Sequence, residues 1–256
     1  MGRYCQMAHT LVQNSMDELL RNKREAMNFF IRSLLSTPVG RIIAKAYLFG
    51  SLAEQRVTEE SDIDLFIVAL NSLREVAEEC DRVGLETMIK YNEVIQPIVG
   101  CIDELRRNGS YFHRKVIKNR KEIYSMSEEE IKRGEAGEFL ELADQYYRES
   151  HSNLDLGNYR LLVDGAYNSV ELCLKGFLIL QGEDIPRRHS TIVQQFSRLY
   201  IKTGKLPREI GRKINLGLRL RNQARYERHR EITKEDAGTM LELAKELLQA
   251  LEDKLM

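Results

Sequence analysis

The sequence predicts a two-domain chain: an α+β first half, then an all-α bundle of four or five helices. Three observations predict it. The chain has 256 residues, above the roughly 100 to 200 of most single domains. Its first half alternates helical stripes with short runs rich in β-formers, whereas from about residue 137 the apolar residues recur at helical spacing alone. Between the halves, around 126 to 137, lies the polar stretch SMSEEEIKRGEAG with two glycines, which reads as a hinge. The expected domains are therefore 1–128 and 129–256.

In chain order, residues 15 to 36 are helical, with Leu19, Leu20, Met27, Phe30, Ile31 and Leu34 near one stripe. The Pro38-Val39-Gly40 break is followed by a β-rich run from Ile42 to Phe49 that stops at Gly50-Ser51. A second strand runs from Asp62 to Val68, a helix follows over 72 to 90, and a third strand covers Val94 to Val99. Pro97 confines that strand to an edge or a strand end, because proline donates no ladder hydrogen bond. In the second half, Phe139, Ala143, Tyr146 and Ser150 form one stripe, Leu162, Ala166, Val170, Cys173 and Phe177 another, and Ile210, Ile214 and Gly217 a third. The last helix, Ala237 to Leu255, is close to a heptad seam, able to pack within the bundle or against a second copy. Breaks fall at Gly157-Asn158, Gly182 to Pro186 and Gly204 to Pro207.

Composition narrows the class. Lys+Arg and Asp+Glu are both 39, so the chain is no uniformly basic nucleic-acid coat, although local patches remain open. No run approaches the ~18 to 20 apolar residues of a membrane span, and no signal-peptide core is visible at the start. Cys5, Cys80, Cys101 and Cys173 are far apart, with no zinc-ligand spacing, and read as reduced thiols of a cytoplasmic protein. His9, His113, His151 and His189 have no partner at ligand spacing.

The chemistry concentrates in AYLFGSLAEQRVTEESDIDLFIV. Gly50-Ser51 is followed after ten residues by Asp62-Ile63-Asp64. Carboxylates two apart on a strand share a face and are spaced to bind divalent cations. A Gly-Ser turn at a strand end lets backbone N–H groups approach a phosphate. These are the parts of metal-assisted phosphoryl or nucleotidyl transfer.

This stretch resembles the nucleotidyltransferase superfamily of DNA polymerase β type, in its minimal branch, whose fingerprint is Gly-Ser, ten residues, Asp-x-Asp. The resemblance covers about residues 15 to 125 and implies a small mixed sheet with flanking helices. It also implies phosphate binding at Gly50 and Ser51, with Ser61 beside them, and Mg²⁺ or Mn²⁺ on Asp62 and Asp64. Active members add a third carboxylate on a neighbouring strand as ligand or general base. Here that strand offers Glu93 near its start and Gln96 in its middle, and an amide cannot act as a base. Glu93 is the candidate, against the alternative of an exposed acid at a helix-to-strand junction. The loop departs from the family in carrying Glu54 and Gln55.

The second half, through AYNSVELCLKGFLILQGEDIPRRHS and LRLRNQARYE, is similar to the HEPN (higher eukaryotes and prokaryotes nucleotide-binding) domain. The similarity rests on distributed positions such as Glu171, Lys175, His189, Arg221, Ala224 and Tyr226. Members that cleave RNA use an Arg, four to six residues, then a His; here seven residues separate Arg221 from His229 and three separate Arg225 from it. Arg221, Asn222 and Tyr226 are instead candidates for a nucleotide pocket, or else a helix end with solvated arginines and a packed tyrosine. Residues 202 to 234 hold eleven Lys or Arg against three acids, either a face for RNA or the solvated sides of two helices.

The expected function is transfer of a nucleoside monophosphate from a metal-bound nucleoside triphosphate to a hydroxyl of a small molecule, a protein or RNA. The helical domain would supply nucleotide or acceptor binding, in a homo-oligomer with no membrane association. A nucleotide-binding regulatory or toxin-antitoxin-like module and a HEPN ribonuclease are the alternatives.

Overall fold

The computed structural model describes residues 2–106, 116 and 120–256, and the side chains of these other than 2–15, 103 and 106. The chain divides into two compact units, Met1–Ser127 and Glu128–Met256.

The first unit runs α1 (Gly2–Leu35), a 3-10 turn at Pro38–Ile42, β1 (Ile43–Phe49), α2 (Gly50–Ala53), β2 (Ile63–Ala69), α3 (Leu73–Tyr91), β3 (Ile95–Cys101), α4 (Ile102–Arg106) and β4 (Lys121–Ser125). The strands form one mixed sheet in the order β3-β2-β1-β4. β1 is antiparallel to β2 and β4, and β2 is parallel to β3. β2 lies inside the sheet, so its apolar run from Leu65 to Ala69 is explained by burial on both faces. Asp64 is the one residue of β2 that is not buried. Ile63, Leu65 and Ile67 pack with Ala26, Phe30 and Leu34 of α1 and Val76, Cys80 and Val83 of α3. Pro97 lies on edge strand β3, opposite Leu65, where its missing donor costs no ladder bond on an outer neighbour. β4 carries no alternating apolar pattern and has no counterpart among the strands expected from sequence; its side chains are half-buried or exposed.

The second unit holds α5 (Glu128–Asp155), α6 (Tyr159–Leu180), α7 (His189–Phe196), a π-type turn (Ser197–Ile201), α8 (Arg208–Tyr226) and α9 (Lys234–Leu255), a five-helix bundle. α6 is buried along nearly its whole length. Phe177, Phe196 and Tyr200 pack ring to ring with centroids 4.9 to 5.4 Å apart, and the Tyr200 hydroxyl donates to the Phe177 carbonyl at 2.9 Å, so the phenol is not left unsatisfied. A capping box starts α9: the Asp236 N–H donates to Thr233 Oγ1 and the Thr233 N–H to Asp236 Oδ2. The α9 seam is buried inside this unit, through Ala237, Met240, Leu241, Ala244, Leu247 and Leu251.

The hinge expected over 126 to 137 is a correction: the chain is helical from Glu128 onward. Glu128, Glu129 and Glu130 sit in the first turn of α5, where carboxylates face the positive end of the helix dipole. The following glycines cost helix propensity but are held by packing, with Ile131 and Ala136 buried beside them.

Candidate active site

The site begins at the end of β1. Phe49 is extended, and Gly50 turns the chain into α2 with φ +69°, a conformation an L side chain resists. Phe49 is paired with Asp64 across the β1–β2 ladder. The Asp64 carboxylate lies directly over Gly50, in the space a Cβ would need. Glycine is thus required here for backbone angle and for close approach. The first N–H groups of α2 have no helical acceptor, which leaves Ser51 and Leu52 with donors to offer.

The loop from α2 to β2 is built by its own hydrogen bonds. The Arg56 N–H donates to the Ser51 carbonyl at 2.9 Å, and Arg56 pairs with Glu54. The Thr58 N–H donates to Ser61 Oγ at 2.9 Å and the Ser61 N–H to the Thr58 carbonyl at 3.1 Å. Ser61, expected beside the nucleotide, has its hydroxyl engaged in that turn.

Asp62 immediately precedes β2 and Asp64 is its second residue, so the two share the face that Gly50 borders. Gln96 is the register partner of Asp64 on β3, and its Nε2 donates to Asp62 Oδ2 at 2.5 Å. The residue beside the two carboxylates is therefore the amide.

Glu93, the expected third carboxylate, faces α1. Its Oε2 accepts from Lys23 Nζ at 2.5 Å and its Oε1 from Asn22 Nδ2 at 3.0 Å. Both donors are on α1, which packs on the other face of the sheet from Asp64. One oxygen is thus taken by a buried ammonium and the other by a half-buried amide. Glu93 is also no exposed acid, being 7% exposed.

Among the described residues no three Asp, Glu, His or Cys gather as a metal cluster. Asp62 and Asp64 are the carboxylates that could hold a divalent cation here, as hard oxygen ligands on one face. The Gln96 amide, turned over, offers a neutral carbonyl ligand of the kind hard cations accept.

The helical unit holds a second polar cluster. Arg221 on α8 is 4% exposed; its Nη1 donates to Asn222 Oδ1 at 3.2 Å and its Nη2 lies 3.4 Å from His189 Nε2. A guanidinium has no acceptor, so Nε2 accepts and the His189 proton sits on Nδ1, facing Glu171. Lys175 Nζ is 2.9 Å from the other Glu171 oxygen. Burial pushes the Glu171 carboxyl up, but the hydrogen bonds from His189 and Lys175 and the charge of Lys175 outweigh it and hold it below the usual carboxylate range. Asp164 Oδ1 lies 2.6 Å from Arg225 Nε and 3.7 Å from Arg221 Nε. The second contact is beyond hydrogen-bond reach, which leaves Arg221 Nε without a hydrogen-bond partner. Tyr226 is 71% exposed, with its ring centroid 5.9 Å from the Arg221 guanidinium.

Arg221, Asn222 and Tyr226 are thus close together, and the structure adds His189, Glu171 and Asp164, which reading residues one at a time does not join. The signal is nonetheless present: Asp164, Tyr167, Glu171 and Lys175 form a helical-period polar stripe on an otherwise apolar helix. His229 instead lines a cleft of about 520 Å³ with Arg160, Arg228 and Arg230. His151 packs against Tyr147. His113 lies outside the described residues, as do the side chains of Cys5 and His9. The basic run over 202 to 234 is partly paired within the unit, through Lys213–Glu246, Arg212–Glu209 and Arg230–Asp236.

Residues 35–129 match the polymerase beta nucleotidyltransferase family, and residues 136–254 match the HEPN domain. A putative protein adenylyltransferase of Methanocaldococcus jannaschii is 35% identical over 104 residues, covering 40% of this chain and 99% of the relative. The chain belongs to the polymerase β-type nucleotidyltransferases. This nucleotidyltransferase carries a HEPN domain as its second unit. It is also similar to a putative toxin of the same organism, at 31% identity over 107 residues, 42% of this chain and 72% of the relative. The crystal structure of a Thermus thermophilus protein aligns with 46% of the nucleotidyltransferase and 97% of its own chain, at 24% identity and a TM-score of 0.41.

Proposed function

We propose that the first unit transfers adenylate from ATP to a hydroxyl of an acceptor protein. The observation that carries this reading is the juxtaposition of Gly50 with Asp62 and Asp64 on one face of the sheet. The choice of ATP and of a protein acceptor follows the relative named a putative protein adenylyltransferase. Asp62 and Asp64 would hold Mg²⁺ or Mn²⁺, which when bound supplies positive charge to the phosphates and the leaving pyrophosphate. Gly50 and Ser51 offer backbone N–H groups to phosphate oxygens, because no side chain of residue 50 stands in the way. Gln96 orients Asp62 through its amide and takes no proton from the acceptor. Arg221, Asn222 and Tyr226 are proposed as a separate nucleotide contact of the HEPN domain, a charged group beside an exposed ring.

The test is transfer of label from α-phosphate-labelled ATP to candidate acceptor proteins, with Mg²⁺ or Mn²⁺. Wild-type protein is expected to transfer, with Asp62→Asn and Asp64→Asn each slower by at least about a hundredfold; equal rates in all three sink the assignment.

A second reading, a nucleotide-binding regulatory module of toxin-antitoxin type, is favoured by Gln96 beside the two aspartates and by the relative named a putative toxin. Calorimetric binding of ATP without pyrophosphate release supports it, and steady release counts against it.

A further inference from the structure

The buried ion pair of Lys23 and Glu93 is itself unexplained by the chemistry above. Lys23 is fully buried on α1, and its Nζ donates to Glu93 Oε2 at 2.5 Å and to the Ser61 carbonyl at 2.7 Å. Its neighbour Asn22 donates through one amide nitrogen to Glu93 Oε1 at 3.0 Å and to the Tyr91 carbonyl at 3.2 Å. Two consecutive residues of α1 therefore hold the backbone just before β2 and just before β3. Those strands carry Asp62, Asp64 and Gln96.

Buried ion pairs are a poor source of stability. Removing two charges from water costs as much as their attraction returns, and well-packed apolar pairs of similar size do as well or better. An apolar pair could fill this volume between helix and sheet. What it could not do is donate to the Ser61 carbonyl, which belongs to the peptide bond entering Asp62. That peptide has no ladder partner before Ile63, whose N–H donates to the Val94 carbonyl at 2.9 Å. Lys23 is thus the donor that reaches the Ser61 carbonyl from the core side, while the Thr58–Ser61 turn holds the loop from the solvent side. Glu93 completes the arrangement by directing the Lys23 ammonium.

We propose that Lys23, Glu93 and Asn22 are positioning residues: they fix the Ser61–Asp62 peptide against the sheet so that the Asp62 carboxylate stands in register with Asp64 and Gln96 for a divalent cation. The inference rests on the reading of Asp62 as part of a metal-nucleotide site, but its geometric half stands on the backbone alone. The groups bonded to the pair are Asn22 of α1 and the Ser61 carbonyl, with Asn22 in turn on the Tyr91 carbonyl.

The test uses the full chain with Lys23→Met and Glu93→Leu combined, an apolar pair of matched length that leaves no lone buried charge. Amide hydrogen exchange over residues 58–63 is expected to speed up at least about tenfold, with β2 from Leu65 onward unchanged and the melting temperature held. Mn²⁺ affinity, read by electron paramagnetic resonance, is expected to weaken about tenfold. A purely structural pair would lower the melting temperature and leave the affinity of the folded protein alone. Unchanged exchange over 58–63 overturns the inference whether or not the protein binds nucleotide. If exchange rises and wild type binds no Mn²⁺ with or without ATP, the proposed function fails and the backbone tether remains. If exchange rises while Mn²⁺ binds equally well in both proteins, the claim that the tether serves the metal site is wrong. Should the double variant lose its cooperative melt, Lys23→Met combined with Glu93→Gln, which keeps an amide beside Asn22, leaves no lone buried charge and still removes the donor to the Ser61 carbonyl, is read by the same two measurements against the same outcomes.

Discussion

Gly50 bears two constraints at once, a positive φ and a carboxylate in the place of its Cβ. Gly50→Ala is expected to destabilise the first unit by about 1 to 2 kcal/mol from the backbone alone and to displace Asp64, so a fall in melting temperature should come with loss of Mn²⁺ binding. Gln96→Glu would put a third carboxylate beside Asp62 and Asp64. The expected result is about tenfold tighter Mn²⁺ binding, because affinity at oxygen sites rises with ligand charge; weaker binding would mean the amide is the better partner. Gly50, Ser51, Asp62 and Asp64 were legible because their spacing is fixed by a strand, a turn and a strand. The choice between Glu93 and Gln96 was not. Glu93 lies two residues before β3 and Gln96 is its second residue, so no single period relates the faces they meet. Only the pairing of Asp64 with Gln96 decides which face is which. Among the described side chains, Cys80, Cys101 and Cys173 are free. Burial pushes the Cys80 and Cys173 thiols up to about 12, so both should resist alkylation at pH 8 until the protein unfolds.

Helix α6 shows how much of an element its period reveals. The apolar stripe placed it in the core, and the same period set Asp164, Tyr167, Glu171 and Lys175 on one line. Their partners come from α7 and α8, and no local pattern announces a contact between residues 171 and 189. Because the folded Glu171 carboxyl lies below its unfolded value of about 4.3, its contribution to stability is complete above that pH and is lost as pH falls through the folded value. The gap in melting temperature between wild type and Glu171→Gln is therefore expected at pH 6 and expected to close below about pH 4. A gap independent of pH would show that the ionised form is not what matters. Arg160 of α6 works on the backbone instead. Its guanidinium donates to the carbonyls of Gln223, Ala224, Glu227 and Arg230 at the end of α8. Ala224 is among the last-turn carbonyls that a helix C-terminus leaves unsatisfied, whereas Gln223 also accepts the Glu227 N–H, and Glu227 and Arg230 follow the helix. Arg160→Ala should cost about 1 to 3 kcal/mol and raise amide exchange at the end of α8. The element that composition misleads about is the start of α5, where charge and glycine suggest a loop. Three acids at a helix N-terminus and a buried face through Ile131 and Ala136 outweigh that composition.

At the scale of the whole molecule, the change of period near residue 130 separates two cores that share no residue. The α+β class and the helical bundle were legible from that change, since strands repeat every two residues and helices every 3.6. β4 was not, because an edge strand of half-exposed residues has no apolar alternation to detect. The balanced total of 39 against 39 charges likewise conceals local order. A buried pair ties the β2–β3 end of the sheet to α1, two aspartates stand together at that end, and the basic run of the second unit is partly neutralised by its neighbours. The central claim is that Asp62 and Asp64 form a metal-nucleotide site that transfers adenylate. The measurement that bears on it most directly is Mn²⁺-dependent transfer of label from α-phosphate-labelled ATP to protein, wild type against Asp64→Asn at equal folded concentration. Label on protein with wild type and its loss with Asp64→Asn is the predicted result; equal labelling by both proteins would contradict the account.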